Sequence, residues 1–508
     1  MGSTRQFPAI FGVRRQWRST HDVKFRADFD YALASIGDFA TIPFAYFVEK
    51  YERTVVAPNH TTLKARLARP ASPSVRTTRG AAVRNHQQRG EYLVRSVRLP
   101  FLPARARFDH DAAFWVLLQQ VVVRGFVAVK FLAIGRILGP EAIGAVSIAL
   151  LAVAIAESLS DTGLAQAVVQ GRDAPDSGEL SAVWATLTAR GVLIGILIAV
   201  FAPFMSSQFH LGGSIGLLLL AALLPILRGI ASPAYFIVTR QRGFQKLAGV
   251  ETSVAFTDCA VGLVCALAGL GAYSVLIGLV AGEVLKTTLT WTTMSPRPPL
   301  RLKFSGIGHY VNFSRWIWAG SVVNLLLNQF DKVIVAKLLG PLQLGAYQMS
   351  SKLAQMLLAD AAIAMSQYLF PTFSEHHRRD VQSAQRLFRR YLVLAAIGLA
   401  LLVIVLRLVA EPLFQLVLGS AWLPAVPLFK IFVINMAIGA VIAVLVSWLR
   451  AVGMPKVATH ASIIQAIVLC VTVPVATHYW GVTGIAWAMT VGLGSAAGWM
   501  LFRIVREA

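Results

Sequence analysis

Long apolar segments alternate with short polar breaks along the chain from residue 111 to the C-terminus. Most of these segments exceed the about 18 apolar residues that cross a bilayer as a helix. Glycine and proline mark several of the breaks, as at Gly139–Pro140 and Gly340–Pro341, and both residues interrupt helices. The pattern therefore predicts twelve transmembrane helices, at residues 113–135, 141–163, 180–203, 214–237, 247–269, 272–293, 309–335, 342–370, 391–411, 425–449, 456–477 and 482–504.

Positive charges are concentrated in every second loop between the predicted helices. The loops after the even-numbered helices contain Arg172; Arg240, Arg242 and Lys246; Arg297, Arg301 and Lys303; Arg378, Arg379, Arg386, Arg389 and Arg390; and Arg450 and Lys456. The other loops hold essentially Arg136 and Lys337. Because lysine and arginine concentrate in cytoplasmic loops, we predict that the even-numbered loops and both termini are cytoplasmic.

The composition is that of a polytopic membrane protein. Of the 508 residues, 56% are hydrophobic and 14% are charged, whereas soluble proteins carry about 25% charged residues. All three cysteines lie inside apolar segments, so neither a disulfide framework nor a metal-binding spacing is visible. We therefore predict an all-α membrane protein whose chemistry depends on polar groups within its helices.

A ten-residue repeat divides the chain. Residues 136–145 read RILGPEAIGA and residues 337–346 read KLLGPLQLGA, with five identical positions. Each copy lies between two apolar segments, which is typical of two homologous halves. Six helices is an even number, so both halves share one orientation. We predict two six-helix bundles, 111–304 and 305–508, related by a pseudo-two-fold axis along the membrane normal with a cavity between them.

The first 110 residues differ from the rest, with 19 Lys and Arg against 8 Asp and Glu. They contain no apolar run long enough to span a bilayer. Three interpretations stay open: a disordered basic arm near anionic headgroups, a start codon assigned too far upstream, or a folded regulatory domain. No function is assigned to this segment.

Charged side chains within the predicted helices are the candidates for a substrate site, because an intramembrane charge usually faces a cavity. Helices 1 and 7 are equivalent under the repeat, so we expect their cations to face each other across the axis. Such a set suits a diphosphate or an acidic sugar. The candidate lumen residues are Arg124, Lys130, Arg136, Asn324, Asn328, Lys332 and Lys337.

Structural explanations compete with this interpretation. Arg136, Lys332 and Lys337 lie near helix ends, where long cations reach the headgroups. Asp331 could pair with Lys332 or with a cation of helix 1. Glu283 and Lys286 are three residues apart in helix 6, a spacing that predicts an ion pair within that helix.

Three carboxylates could couple transport to an ion, since an acid in a low-dielectric site can exchange a proton or a sodium ion. They are Asp331, Asp258 and Asp360. Pairing between helices, or a position at the membrane interface, is the alternative explanation for each of them.

From residue 111 onward the chain resembles the polysaccharide-transport branch of the multidrug/oligosaccharidyl-lipid/polysaccharide exporter superfamily, the Wzx-type flippases. The resemblance rests on residues 135–170 (GRILGPEAIGAVSIALLAVAIAESLSDTGLAQAVVQ), 324–354 and 369–375. It implies two six-helix bundles around a V-shaped cavity, often cationic, and alternating access. It also implies that polyprenyl-diphosphate-linked oligosaccharides move across the inner membrane for lipopolysaccharide or exopolysaccharide synthesis.

The leading hypothesis is therefore a lipid-linked oligosaccharide flippase. A drug or metabolite exporter of the same superfamily, a peptidoglycan-precursor flippase and a membrane-bound glycan enzyme are the alternatives. No GxxxxGK[ST] loop occurs, so ATP is not expected as the direct energy source. We expect no enzyme activity, no cofactor, no metal and no nucleic acid. The expected partners are the lipid-linked substrate and membrane lipids, and could include a polysaccharide polymerase and export machinery.

Overall fold

The computed structural model describes residues 110–161, 163–171, 175–299 and 308–507, and within these ranges it contains helices and turns but no strand. The N-terminal 109 residues, which carry the basic segment, lie outside the described residues. Thirteen α-helices are described: α1 His110–Leu159, α2 Leu164–Gln170, α3 Ser177–Gln208, α4 Ile215–Ile230, α5 Ala234–Arg240, α6 Phe244–Leu267, α7 Tyr273–Thr293, α8 Gly308–Ala354, α9 Asp360–Arg379, α10 Val381–Leu408, α11 Ala410–Val417, α12 Val426–Ala451 and α13 Pro455–Glu507.

Three of these helices are too long for one membrane crossing. Helix α1 has 50 residues, which at 1.5 Å per residue is about 75 Å, more than twice the roughly 30 Å hydrocarbon core. A glycine with positive φ interrupts each of the three: Gly139 in α1, Gly340 in α8 and Gly481 in α13. Each long helix therefore supplies two of the predicted spans.

Two further irregularities complete the twelve spans. Helices α4 and α5 meet at 61°, and together they correspond to the single predicted span at 214–237. The second arm of α8 passes through a π-helical turn, Gln355–Ala359, into α9. By length and composition alone, seven described helices could cross a membrane, or eight if α4 and α5 count as one.

The prediction of two bundles around a pseudo-two-fold axis is confirmed. The N-terminal half (described residues up to 299) and the C-terminal half (308–507) meet through their repeats. A Cβ atom added to Gly144 would collide with the carbonyl of Pro341, and one added to Gly345 would collide with the carbonyl of Pro140. Each repeat thus contacts the other in the same way, as a two-fold axis between them requires.

Aromatic side chains form a separate core in the C-terminal half. Phe388 of α10 stacks on Trp448 of α12 with 4.6 Å between ring centroids. Phe373 of α9 meets both rings edge-on. These contacts fix α9 and α10 against α12.

The proposed boundary between the halves, at residue 304, falls in the segment 300–307, which lies outside the described residues. The boundaries of the two bundles therefore remain predictions.

Candidate functional site

An ion pair is buried inside the N-terminal half. Lys130 of α1 is 7% exposed, and its Nζ donates to Oδ1 of Asp258 on α6 and to the carbonyl of Val275 on α7. Gly278 lies against Asp258, and Gly262 against the Lys130 stem. The sequence-predicted lumen cation and one coupling carboxylate are therefore partners, and each offsets the cost of burying the other.

A second cluster joins four helices of the same half. Arg228 of α4 donates from Nη1 to both oxygens of Glu157 on α1, at 2.9 and 3.0 Å. Its Nε donates to Glu283 on α7 at 2.7 Å. Arg190 of α3 donates to the carbonyl of Glu157 at 2.6 Å. Arg190, Arg228 and Glu157 line a small cavity of about 70 Å³.

The prediction of an ion pair between Glu283 and Lys286 is wrong. Lys286 pairs with Glu251 of α6 at 2.8 Å, while Glu283 turns to Arg228. Residues three apart are neighbours on a helix surface, but each of these two side chains has an opposite charge within reach on another helix and pairs with that charge instead.

A polar stripe follows the first arm of α8. Asn328 donates from Nδ2 to the carbonyl of Asn324 at 2.9 Å, and Lys332 donates from Nζ to the carbonyl of Asn328 at 2.6 Å. Asn328 is exposed, and Asn324 and Lys332 are half-buried. Three of the predicted lumen residues therefore lie together on one helix face.

Asp331 belongs to a different environment. It is 5% exposed, and the hydroxyl of Tyr347 donates to its Oδ2 at 2.6 Å. Its Oδ1 has no hydrogen-bond partner among the described residues. Tyr347 also contacts the sulfur of Met489 at 2.9 Å. The hydrogen-bond partner of this carboxylate is therefore a tyrosine rather than Lys332.

The halves are fastened at the end where the two prolines lie, which we name the proline end. Arg136 donates to the carbonyls of Leu416 and Val417 at the end of α11, where a cation is favoured by the helix dipole. The fully buried Trp422 donates from its indole nitrogen to the carbonyl of Gly135 at 2.9 Å. Lys337, which occupies the same repeat position as Arg136, is exposed.

The halves also touch at the opposite end of the bundle. Trp318 of α8 donates from its indole nitrogen to the carbonyl of Leu159 at 2.7 Å. The hydroxyl of Ser321 donates to Oδ2 of Asp161 at 2.8 Å. These two hydrogen bonds form a smaller set of contacts than the one at the proline end, and we name this end the tryptophan end.

The remaining predicted residues are less informative. Arg124 is exposed and has interactions of its own. Asp360 begins α9, but its side chain lies outside the described residues. Within the described ranges, no group of three or more His, Cys, Asp or Glu could hold a metal ion.

Sequence reasoning missed Arg190 and Arg228. Both are cations inside long apolar helices, so the rule applied to helices 1 and 7 would have found them. The role of Trp422 was also missed, because no local sequence pattern predicts a contact with Gly135, which is 287 residues away in the chain.

Comparison with known proteins identifies relatives that match most of the helical region. The family described as "Polysaccharide biosynthesis protein" matches residues 133–427. The succinoglycan biosynthesis transport protein ExoT of Rhizobium meliloti (strain 1021) is 25% identical over 355 residues, 70% of this chain and 71% of that protein. The lipopolysaccharide biosynthesis protein WzxC of Escherichia coli (strain K12) is 20% identical and covers 68% of each.

Solved structures share the fold. The lipid II flippase MurJ in an inward closed conformation superimposes with a TM-score of 0.62 at 13% identity, covering 78% of this chain and 87% of that one. At this identity the likeness shows the architecture of two helical lobes and nothing about the substrate.

Proposed function

Because the chain belongs to the family of polysaccharide biosynthesis proteins, matched over residues 133–427, we propose that it moves a lipid-linked oligosaccharide across the membrane. The proposed substrate is a polyprenyl-diphosphate-linked glycan destined for a surface polysaccharide. The proposed location is the bacterial inner membrane, with both termini in the cytoplasm. The activity is transport by alternating access, with no covalent step.

One observation carries the proposal: two homologous halves contact each other at both ends through separate, small sets of side chains. Alternating access requires a closure at each end, of which only one opens at a time. The proline end has the Gly–Pro contacts, Arg136 and Trp422. The tryptophan end has two hydrogen bonds. Under the predicted topology, the proline end faces away from the cytoplasm.

We assign the substrate diphosphate to the cations of the first helix of each half. Lys332 is held at the end of the polar stripe by Asn328, and Lys337 is exposed near the proline end. Arg124 is exposed on α1. Amide groups of Asn324 and Asn328 suit sugar hydroxyls, because they both donate and accept hydrogen bonds.

Lys130 and Arg136 stay in the proposed set through their contacts. Opening the proline end separates Arg136 from the α11 carbonyls and frees a guanidinium for an anion. Lys130 becomes free for an anion when Asp258 takes up a proton or a sodium ion. Asp258, Asp331 and Asp360 are the proposed coupling carboxylates.

The test is export in a deletion strain. After the gene is deleted, surface polysaccharide and the polyprenyl-linked glycan on each leaflet are measured. The proposal expects loss of surface polymer and accumulation in the cytoplasmic leaflet, reversed by the chain and by a version that starts near residue 100. Normal polymer together with a normal leaflet distribution would refute it.

The same strain separates the alternatives. If the protein is a peptidoglycan-precursor flippase, deleting its gene would cause the lipid-linked peptidoglycan precursor to accumulate while surface polysaccharide stays normal. If the protein is a drug exporter, deleting its gene would leave both glycans unchanged and raise the intracellular drug concentration.

A further inference from the structure

The corner between α9 and α10 presents a cluster of arginines. Helix α9 ends at Arg379 and α10 begins at Val381, with Asp380 as the only residue between them. The Asp380 carboxylate accepts hydrogen bonds from the backbone amides of Gln382 and Ser383 and so caps α10. Five arginines around this corner are exposed: Arg378, Arg379, Arg386, Arg389 and Arg390.

The aromatic core beneath the corner keeps it rigid. Phe388, within the arginine sequence, is 7% exposed and stacks on Trp448, and Phe373 is fully buried against both. The arginines therefore extend from two packed helices rather than from a loose loop. Because the backbone that carries them is already ordered, binding through these side chains costs less conformational entropy than binding through a loose loop would.

Three of the arginines share a face of α10 with its most exposed apolar side chains. Arg386, Arg389 and Arg390 are three and four residues apart, which places them on one face. The same face continues through Val393, Leu394, Ile397, Leu401, Ile404 and Leu408, which are 49–76% exposed. The opposite face carries the buried Ala384, Phe388 and Leu406. The arginines therefore stand over the lipid-facing stripe and not over the contact between the halves.

The length of α10 places the arginines at headgroup depth. Residues 391–408 rise about 27 Å, close to the roughly 30 Å hydrocarbon core. Arg390 precedes this stretch, and the exposed Arg407 lies at its other end. When the apolar stripe lies in the acyl chains, Arg386, Arg389 and Arg390 meet the phosphates of one leaflet.

None of these three arginines has an ion pair within the part of the chain that the structure describes, whereas Arg379 pairs with Glu375 at 2.6 Å. Guanidinium groups bind phosphate oxygens with two parallel hydrogen bonds. We propose that Arg386, Arg389 and Arg390 form a binding surface for anionic phospholipid headgroups in the leaflet predicted to be cytoplasmic. The transport function is not needed for this proposal.

The test compares lipid binding by three forms of the purified full chain in detergent. They are the wild type, Arg386→Gln/Arg389→Gln/Arg390→Gln, and a control, Arg242→Gln/Lys246→Gln/Arg506→Gln. The control removes the same charge from exposed residues away from α10. Each form is titrated with phosphatidylglycerol or phosphatidylcholine, and bound lipid is counted by native mass spectrometry. Basic residues near a charged membrane surface act cumulatively, so the α10 variant is expected to bind phosphatidylglycerol roughly 100-fold more weakly.

The proposal also expects the control to bind phosphatidylglycerol as the wild type does, and phosphatidylcholine binding to be the same in all three forms. Equal losses in the α10 variant and the control would mean that only the total charge matters and would overturn it. If the glutamine variant fails to insert in the membrane, Arg386→Lys/Arg389→Lys/Arg390→Lys serves as the second test. Lysine keeps the positive charge but cannot form two parallel hydrogen bonds to a phosphate, so weaker binding is expected. Unchanged affinity for phosphatidylglycerol would count against the proposal. Displacement of the lipid by inorganic phosphate at concentrations as low as those of phosphatidylglycerol itself would overturn the assignment to a lipid headgroup.

Discussion

Gly144 and Gly345 hold the same position in the two repeats, and each lies against the proline carbonyl of the other repeat. A side chain at either position would push the two helix breaks apart. The contact therefore explains why both copies retain glycine at this position.

Gly345→Ala is expected to destabilise the protein, because the new methyl group meets the backbone carbonyl of Pro140, which cannot turn away. Overpacking of this kind costs about 1–3 kcal/mol. The measurement is the melting temperature in detergent, followed by tryptophan fluorescence. Gly398→Ala is the matched control, since Gly398 lies within α10 and has open space around it. Equal melting temperatures for the two variants would show that the close approach is absent.

Breaking the Lys130–Asp258 pair is expected to destabilise the N-terminal half. Lys130→Met leaves a carboxylate in a buried site, and losing one partner of a buried ion pair costs about 3–5 kcal/mol. Lys130→Met/Asp258→Leu removes both charges and should recover most of the lost stability. Thermal unfolding of Lys130→Met, Asp258→Leu and the double variant measures the coupling between the two side chains. A double variant no more stable than Lys130→Met would contradict the pairing.

The two tryptophans that link the halves are expected to differ. Trp422→Phe removes the indole donor to the Gly135 carbonyl at a fully buried position, and losing a buried hydrogen bond costs about 1–3 kcal/mol. Trp318 is 46% exposed, so Trp318→Phe should change stability by less than about 1 kcal/mol, because water can replace the lost bond. The measurement is the melting temperature of each variant, and a larger loss for Trp318→Phe would contradict the prediction that the Trp422 contact contributes more to stability.

Tyr347→Phe is expected to lower stability because it removes the donor to the buried Asp331 carboxylate. Leaving a buried acceptor unpaired costs about 1–3 kcal/mol, and more when it is charged. The comparison is with Tyr391→Phe, since Tyr391 meets Phe373 through its ring and keeps that ring. If Tyr347→Phe has the same melting temperature as the wild type, then the hydrogen bond from this hydroxyl to Asp331 does not contribute to stability.

The sequence was sufficient for the large-scale architecture. The helix spans follow from runs of apolar residues. The repeat that begins at residues 136 and 337 indicates the two halves, because five of its ten positions are identical. Lys130 and Asp258 were both recognised as unusual, since any charge at that depth needs a reason. Their pairing was not predicted, because it depends on how α1 and α6 are rotated about their own axes.

The failed pairing of Glu283 with Lys286 has the same cause. Spacing along one helix predicts which side chains are neighbours on its surface, but a nearer partner on another helix can compete. Arg228 and Glu251 were those partners. Arg136 and Lys337 illustrate a second limit: the repeat makes them equivalent, yet only Arg136 meets α11.

A contact in which each repeat meets its own copy is isologous, the kind that joins the subunits of a two-fold homodimer. In such a homodimer, one substitution alters both sides of the interface at once. In this chain the two sides are encoded separately, so each can change alone. The glycines remain paired as in a dimer, while Arg136 and Lys337 have acquired different surroundings. The chain therefore keeps a dimer-like interface between its two halves and has become asymmetric around it.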